Sequence, residues 1–371
     1  FEISAAARFD DYSDFGSTAN PKVGALWEPF DGLILRGSWG TSFNPPTLGV
    51  RSAGVAQLAL VRVSDPSASD GLAPVGILLG VNPDVAPEEG ETLTAGFDVR
   101  KEFGRHELTF TSTYYAITYD NLISRVPYPN NSLFNVRTAP QLVPAEIFYP
   151  NPSQEVVDGA LAAAQASFGV LDLGGFLSPD GGLDASLLQY FYDYRNTNLA
   201  AARTRGLDFA LRGSRETRKG EVSLGVSGNY IFELTRQGAE TIPEVDLAGT
   251  VFNPVDFTLR GEAGWSHGPW RASAFANYRN AYIDNRSDPA VAIDSYTTVD
   301  MNVRCALGDF TGSRALDGLD ISIGVINLFN EDPPFVASDI PAGGASTTAN
   351  YDPANADPRG RFVHFEIAKR W

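Results

Sequence analysis

Stretches of strict two-residue alternation run through this chain and constrain its fold more than any other feature. Over 221–232, Val222, Leu224, Val226, Tyr230 and Phe232 alternate with Glu221, Ser223, Ser227 and Asn229. Only an extended strand puts residues i and i+2 on one face, so this segment reads as a strand with one apolar and one polar side. The pattern recurs over 296–307, where Val299, Met301, Val303, Cys305 and Leu307 oppose Thr298, Asp300, Asn302 and Arg304. Cys305 is then one more small hydrophobe in an apolar row. Across the chain the pattern predicts about twelve strands, near 1–9, 22–29, 33–42, 91–102, 106–120, 202–213, 220–235, 256–266, 270–282, 296–307, 318–330 and 360–371. Several exceed the roughly 5–6 residues usual in globular sheets and suit the about 9–11 tilted residues that a bilayer asks of a barrel strand.

The connections between these strands alternate long and short. Long ones fall at 10–21, 43–90, 121–201, 236–255, 283–295 and 331–359, short ones at 30–32, 103–105, 214–219 and 267–269, with a medium one at 308–317. An up-and-down antiparallel sheet places alternate connections at opposite ends, and transmembrane barrels have short periplasmic turns and longer extracellular loops. A β-propeller would repeat every 40–50 residues or so, and no such repeat is visible. The expected fold is therefore all-β: an antiparallel up-and-down transmembrane barrel wall. Its apolar faces would meet lipid, with Trp27, Trp39, Tyr230, Trp265, Trp270, Tyr278 and Phe329 near strand ends as aromatic girdles. The alternative is a soluble sandwich whose apolar faces form an internal core. Inside the longest loop, Asn151-Pro152-Ser153-Gln154 reads as a helix start with Asn151 as cap and Pro152 first in the helix. Val157, Leu161, Ala164 and Phe168 follow at helical spacing, predicting a small surface helix.

Composition narrows the chemistry. The chain has 371 residues, 43% hydrophobic, too apolar for disorder, and a net charge of −17 that argues against a nucleic-acid partner. A single cysteine excludes an intramolecular disulfide or a cysteine-built metal site, and His106, His267 and His364 lie far apart, so no metal, cofactor or enzyme activity is expected. The absence of any run of about 18 apolar residues excludes a transmembrane helix but not a barrel. The polar strand faces carry Arg36, Asp98, Arg100, Arg212, Arg260, Glu262, Arg279, Asp300 and Arg304, candidates for facing whatever fills the lumen. Neighbouring strands pairing their own charges is an equally good reading for any one of them.

Ordered motifs then add a resemblance. Arg8-Phe9-Asp10-Asp11-Tyr12-Ser13-Asp14-Phe15-Gly16, Pro21-Lys22-Val23-Gly24, and the run from Leu35-Arg36-Gly37-Ser38 to Phe43-Asn44-Pro45-Pro46 resemble successive segments of the TonB-dependent outer-membrane receptors. Asn82-Pro83 with Pro87-Glu88, Gly206-Leu207-Asp208, Asn327-Leu328-Phe329-Asn330 with Pro333-Pro334, and a last strand ending in Trp371 are similar to later ones. Asn44 stands where that family usually has arginine. Phe43, Pro46, Asn82, Pro83, Glu88, Asn327, Leu328, Phe329 and Trp371 are the motif positions carried over.

The resemblance implies a barrel of about 22 strands with a plugged lumen. Residues 1–371 would then be the C-terminal portion of the barrel, with the plug and the TonB box before Phe1. It implies TonB-dependent import of a scarce, bulky nutrient (a siderophore, cobalamin, oligosaccharide or peptide) across the Gram-negative outer membrane. Loops 43–90 and 121–201 are the expected ligand-capturing segments. TonB with ExbB/ExbD, the plug, outer-membrane lipid and lipopolysaccharide, and the barrel-assembly machinery are the implied partners. A non-energised pore or adhesin, and a soluble β-rich carbohydrate-binding protein, are the alternatives.

Overall fold

The structure, a computed structural model, describes residues 1–13, 16–47, 56–64, 71–82, 85–124, 147–238, 242–285, 289–337 and 350–370. In chain order the strands begin with β1 (Glu2–Tyr12), β2 (Gly16–Phe30), β3 (Leu33–Asn44), β4 (Ala56–Ser64) and β5 (Leu72–Gly80). Next come β6 (Glu88–Phe103), β7 (His106–Ser124), β8 (Phe148–Pro150), helix α1 (Gln154–Gln165), β9 (Val170–Asp172) and β10 (Tyr190–Asp193). The run continues with β11 (Thr197–Thr217), β12 (Gly220–Gln237), β13 (Val245–Asp246), β14 (Phe257–His267) and β15 (Trp270–Arg279). Last are β16 (Tyr282–Asp284), β17 (Val291–Ile293), β18 (Tyr296–Ala306), the short helix α2 (Leu307–Thr311), β19 (Leu319–Ile326) and β20 (Phe362–Lys369).

Twelve long strands form one antiparallel wall in the order β1-β2-β3-β6-β7-β11-β12-β14-β15-β18-β19-β20, with the two-residue β13 added beside β12. Each corresponds to one of the strands predicted from alternation. The register carries the alternation from strand to strand: Leu211 lies opposite Val226, and Val222 opposite Trp265. One face of the wall is therefore continuously apolar, and nothing covers it among the described residues. Leu224 is 63% exposed, Phe365 62% and Ile323 49%. A soluble sandwich would need a second layer on this face; a barrel wall meets lipid there. No helix among the described residues is long and apolar enough to cross a membrane.

Tight turns gather at one end of the wall. At the first, Gly32 has φ +79° and its carbonyl accepts from Arg100 N at 2.7 Å; a side chain there would press into the Arg100 carbonyl. Trp265 and Trp270 flank the turn at this end, and Trp270 meets Phe310 edge-on at 5.6 Å. At the other end Tyr230, Phe232, Phe257 and Tyr278 form a chain of ring contacts at 5.2–6.3 Å. Val222 beside the turns and Phe232 at the far girdle are ten residues apart. At about 3.3 Å per residue and a tilt of about 40°, they bracket a band roughly 25 Å tall, the height of a barrel's apolar belt.

Several boundaries differ from the sequence expectation. The predicted long connection 10–21 is instead the paired ends of β1 and β2, which run to Tyr12 opposite Gly16. Strands β7, β11 and β12, of 19, 21 and 18 residues, likewise extend past their predicted ends. Polar residues there read as loop, but a strand standing clear of the membrane has water on both faces and needs no alternation. Leu307 begins α2 rather than ending β18. The helix cap is Ser153, whose side chain accepts from Val156 N, so Asn151 and Pro152 precede the helix and Phe168 lies beyond its end, 67% exposed.

The larger surprise is inside the two longest loops. Strands β4, β5, β8, β9 and β10 form a mixed five-stranded sheet in the order β8-β10-β5-β4-β9, with α1 packed against β4 and β9. Leu58, Leu60, Val157, Ala164 and Phe191, all 2% exposed or less, join a core that contains no residue of the twelve wall strands. The predicted surface helix is thus the lid of a small hydrophobic core, because its Val157, Leu161 and Ala164 stripe buries against β4.

Candidate functional site

The nine charged residues expected to face a lumen all stand on the polar face of the wall. Eight of the nine are held by neighbouring side chains, Arg36 with Asp98 and Arg212 with Glu262 by each other. Arg36 donates to Asp98 at 3.0 Å and to Thr113 Oγ1 at 2.6 Å, tying β3, β6 and β7. Arg212 on β11 reaches Glu262 on β14 at 2.9 Å, across the intervening β12. The reach is possible because Gly225 stands between them in register and its missing side chain leaves the space that Glu262 fills. Arg304 pairs with Asp320, and Arg100 with Glu102 and Glu107 at 3.1 and 3.2 Å. These partly exposed pairs are worth about 0–1 kcal/mol each and mainly fix where the charges point.

A continuous polar network occupies the loop-side half of β14, β15 and β18. Arg260 donates to Asn277 Oδ1 at 2.6 Å and stacks its guanidinium 4.1 Å from the Phe275 ring centroid. Asn277 donates to Asp300 at 2.9 Å, and Asp300 also accepts from Asn327 N at 2.9 Å. Asn327 has φ +53° and is 3% exposed; its side chain donates to Glu331 O and accepts from Glu331 N. This closes the Asn327–Asn330 turn. Leu328 N donates to Val299 O, while Phe329 projects outward, 70% exposed.

Above this network the wall and the loop before β20 border an open cavity of about 670 Å³, lined by Arg260, Arg279, Tyr296, Asp300, Asp357 and Arg359 among others. Hydrogen bonds from Arg359 hold the Asp357 carboxyl below its ordinary value, so that pair is charged. Arg279 alone of the nine predicted lumen residues makes no hydrogen bond or ion pair among the described residues. The cavity thus offers an uncommitted guanidinium beside polar groups already fixed by their neighbours, an arrangement suited to an oxygen-rich or anionic group. Asn277 and Asn229 were not singled out from sequence, although alternation puts both on this face. Tyr296, Asp357 and Arg359 belong to strand ends and loops, where periodicity gives no signal.

The loops at this end of the wall have an anchor of their own. Asp352, fully buried, accepts from Phe252 N at 3.0 Å, Ala354 N at 2.9 Å and Asn355 Nδ2 at 2.8 Å, while Asn355 also donates to Asn253 O. Burial and the Asp352 carboxylate push the Tyr282 phenol well up. Tyr282, Val251, Val255, Ile293 and Val336 form a shared core, so the loops after β12, β15 and β19 are one body.

The motif positions bind elements together at the base of the other loops. Asn44, in the position where arginine is usual, donates to Glu88 at 2.7 Å, and Glu88 accepts from Ile123 N at 2.8 Å, joining β3, β6 and β7. Phe43 meets Tyr12 edge-on at 5.7 Å, and Pro46 and Asn82 are half-buried. Pro83 and Trp371 lie outside the described residues. So do parts of loops 43–90 and 121–201, whose described parts are chiefly the five-stranded sheet. Among the described residues no group of three or more His, Cys, Asp or Glu is placed to hold a metal ion.

Comparison with known proteins fits this architecture. The family model described as TonB dependent receptor-like, beta-barrel, matches residues 1–328. No curated protein sequence matches the chain significantly. Among solved structures, the siderophore receptor PirA from Acinetobacter baumannii is similar over 98% of this chain and 42% of its own, with TM-score 0.58 and 12% identity. A variant of the ferric enterobactin receptor PfeA from Pseudomonas aeruginosa, in complex with enterobactin, is similar over 99% and 43%, with TM-score 0.59 and 13% identity. The outer membrane transporter YddB from Escherichia coli is similar over 100% and 43%, with TM-score 0.57 and 9% identity. The chain therefore spans about two fifths of the length of these structures. The wall's uncovered apolar face, its paired polar lumen and the family match over most of its length make this chain a member of the TonB-dependent receptor β-barrel family of the Gram-negative outer membrane.

Proposed function

We propose that this chain is a C-terminal portion of the barrel of a receptor that imports a scarce, bulky nutrient across the outer membrane, driven by TonB with ExbB/ExbD. A ferric siderophore is the substrate class favoured, because PirA and PfeA are named for siderophores and enterobactin. The chain's own part is physical rather than catalytic. Its wall would hold a plug against the paired charges of the polar face, and its loops would capture ligand above the 670 Å³ cavity. Outer-membrane lipid and lipopolysaccharide would contact the apolar face, and the barrel-assembly machinery would insert the last strands.

The observation that carries this reading is the division of the wall: uncovered apolar side chains on one face, fixed ion pairs on the other. The test is uptake of iron-labelled siderophore by cells that produce the full receptor, with and without TonB. Uptake that requires both is expected. Equal uptake without TonB would overturn energised transport in favour of an open pore. As a first site-directed prediction, Arg279→Gln should weaken binding of an anionic ferric chelate about tenfold, measured by fluorescence quenching on the purified receptor, since one charged hydrogen bond contributes about 1.5–3 kcal/mol.

A further inference from the structure

The outward face of the wall changes character where β6, β7, β11 and β12 reach their tight turns. The register sets Phe103, His106, Arg215, Val222 and Trp265 side by side, with Lys101, Leu108, Gly213 and Leu224 in the next row toward the middle of the wall. The turns themselves add Arg105, Arg218 and Lys219. All five of these bases are exposed, and none makes a side-chain hydrogen bond or ion pair among the described residues. The acids at this level, Glu102 opposite Glu107 and Glu216 opposite Glu221, occupy the alternate positions and so stand on the lumen face. In a chain of net charge −17, neither outward row holds an Asp or Glu. At the other end of the same strands, the outward positions of β6 and β7 carry Glu89, Glu91 and Asp120 instead.

Lys101 stands one row inside Val222, at the edge of the apolar belt, between the exposed Leu108 and the lipid-facing end of β6. A lysine in that position lays its stem along apolar surface and carries its ammonium out to the headgroup level, where phosphate is the anion it meets. Trp265 marks the same level: its indole N–H donates to Lys219 O in the turn at 2.9 Å while its ring sits in the outward row. The two turns are tied together, because Glu216 N donates to Arg105 O at 3.2 Å. Only β7 separates β6 from β11, so Lys101 and Arg215 stand roughly 10 Å apart across the sheet at about 4.8 Å per strand. Two long side chains flanking β7 close that gap around one phosphodiester.

We propose that the outward surface of the β6–β7 and β11–β12 hairpins binds the headgroup of an anionic phospholipid in the leaflet at the turn end. Lys101 and Arg215 hold its phosphate, and Arg105, Arg218 and Lys219 add attraction from the turns. A zwitterionic lipid carries a phosphate too, but these bases repel its ammonium, so the site selects net negative charge. Each cation close to an anionic lipid surface is worth roughly fivefold in binding. The site requires only that the wall face lipid, whatever the receptor transports.

Benzoylphenylalanine in place of Phe103, opposite His106 in register, tests this in the full-length receptor refolded into vesicles of equal parts phosphatidylglycerol and phosphatidylcholine, with lipid adducts weighed by mass spectrometry. The same label in place of Trp39, which donates to Glu91 toward the loop end, is the reference position. Adducts at position 103 should favour phosphatidylglycerol at least fivefold, and those at position 39 should show no such preference. Lys101→Gln with Arg215→Gln should bring the ratio at 103 to within twofold of parity, and Lys101→Arg with Arg215→Lys should keep it. Equal labelling of the two lipids at 103, a preference that survives the glutamine pair, or the same preference at 39 overturns the proposal. So does a label at 103 that, in cells, joins a protein in preference to lipid. Heat-modifiable migration on gels confirms that each variant barrel is folded. The adducts need neither TonB nor a nutrient, so a receptor that fails the uptake test can still pass this one, and the converse.

Discussion

Two parts of this molecule bury apolar side chains in opposite ways. The twelve-strand wall turns Leu224, Ile323, Phe365 and Ile367 outward and leaves them bare of protein. The cap formed by β4, β5, β8, β9, β10 and α1 turns Leu58, Leu60, Val157 and Phe191 inward until almost nothing is exposed. The wall can leave its apolar face bare because the bilayer serves as the second layer, whereas the cap stands in water and must build its own. The cap core contains no residue of the wall strands, and at the base Asn198 of β11 donates to Ala86 O, in the segment between β5 and β6, and to Asn121 O of β7. The cap is therefore able to lose its structure while the wall keeps its own.

The sharpest way to break the comparison is to empty the cap. Phe191 is 2% exposed and packs on β5, close to Gly76. Phe191→Ala should cost about 3–5 kcal/mol. The expected outcome is rapid proteolysis within 56–80 and 147–193 while heat-modifiable migration of the barrel is unchanged. Loss of the barrel at the same time would mean that cap and wall are one cooperative unit.

The complementary substitution falls on the wall. Ile323→Arg replaces a side chain already 49% exposed, between Val303 and Phe365 in register. In a water-facing sheet such a change would fall within about 0.5 kcal/mol. On a lipid face it should cost about 2–4 kcal/mol near the midplane, read from urea titration of the receptor refolded into lipid vesicles. A null result would return the chain to the soluble alternative.

A third region separates the two. The loops after β12, β15 and β19 share a smaller core, pinned by the buried Asp352. Asp352→Ala would strand the N–H groups of Phe252 and Ala354 and the Asn355 amide, at a cost of about 1–3 kcal/mol. Hydrogen exchange should rise over 248–256 and 350–357, with no change over 56–64.

The same contrast explains what could be read from sequence. Wall strands such as β12 and β18 were legible because lipid on one side and the lumen on the other impose opposite demands on successive residues. Strands β4 and β5 were not. Leu58, Ala59 and Leu60 are consecutive and all buried, so the strand is covered on both faces and its alternation disappears. Strands β8, β9 and β10, of three or four residues, are too short to carry a period. On the lumen side, alternation placed Arg212 and Glu262 on the polar face but could not pair them. Their contact depends on the register of three strands and on the empty space at Gly225. Arg279 and Arg260 looked alike in sequence, and only the packing of Phe275 and Asn277 commits one and leaves the other free.

The smallest expected effect belongs to the acidic turn of the cap, and it distinguishes the cap from the wall by pH. Partial burial pushes the Asp172 carboxyl up, but the N–H groups of Leu177, Phe176 and Gly174 donate to it and hold it below the ordinary 3.8. Asp184 is lowered by the hydroxyl and N–H of Ser186, and Asp180 by the Ser178 hydroxyl. A carboxyl whose value is depressed on folding stabilises the folded form above its unfolded value, and that contribution is lost as pH falls through the folded one. The cap should therefore keep its full stability at pH 5 and lose part of it below about pH 4, where unfolded carboxyls begin to bind protons. The measurement is the urea midpoint of exchange protection over 170–190 at pH 5 and pH 3. Asp172→Asn should lower the midpoint at pH 5 and reduce its dependence on pH, because the amide cannot supply the charge that those N–H groups select. A midpoint that does not move with pH in the unmodified receptor would mean that the turn is held by the packing of Phe176 in the cap core rather than by its carboxylates.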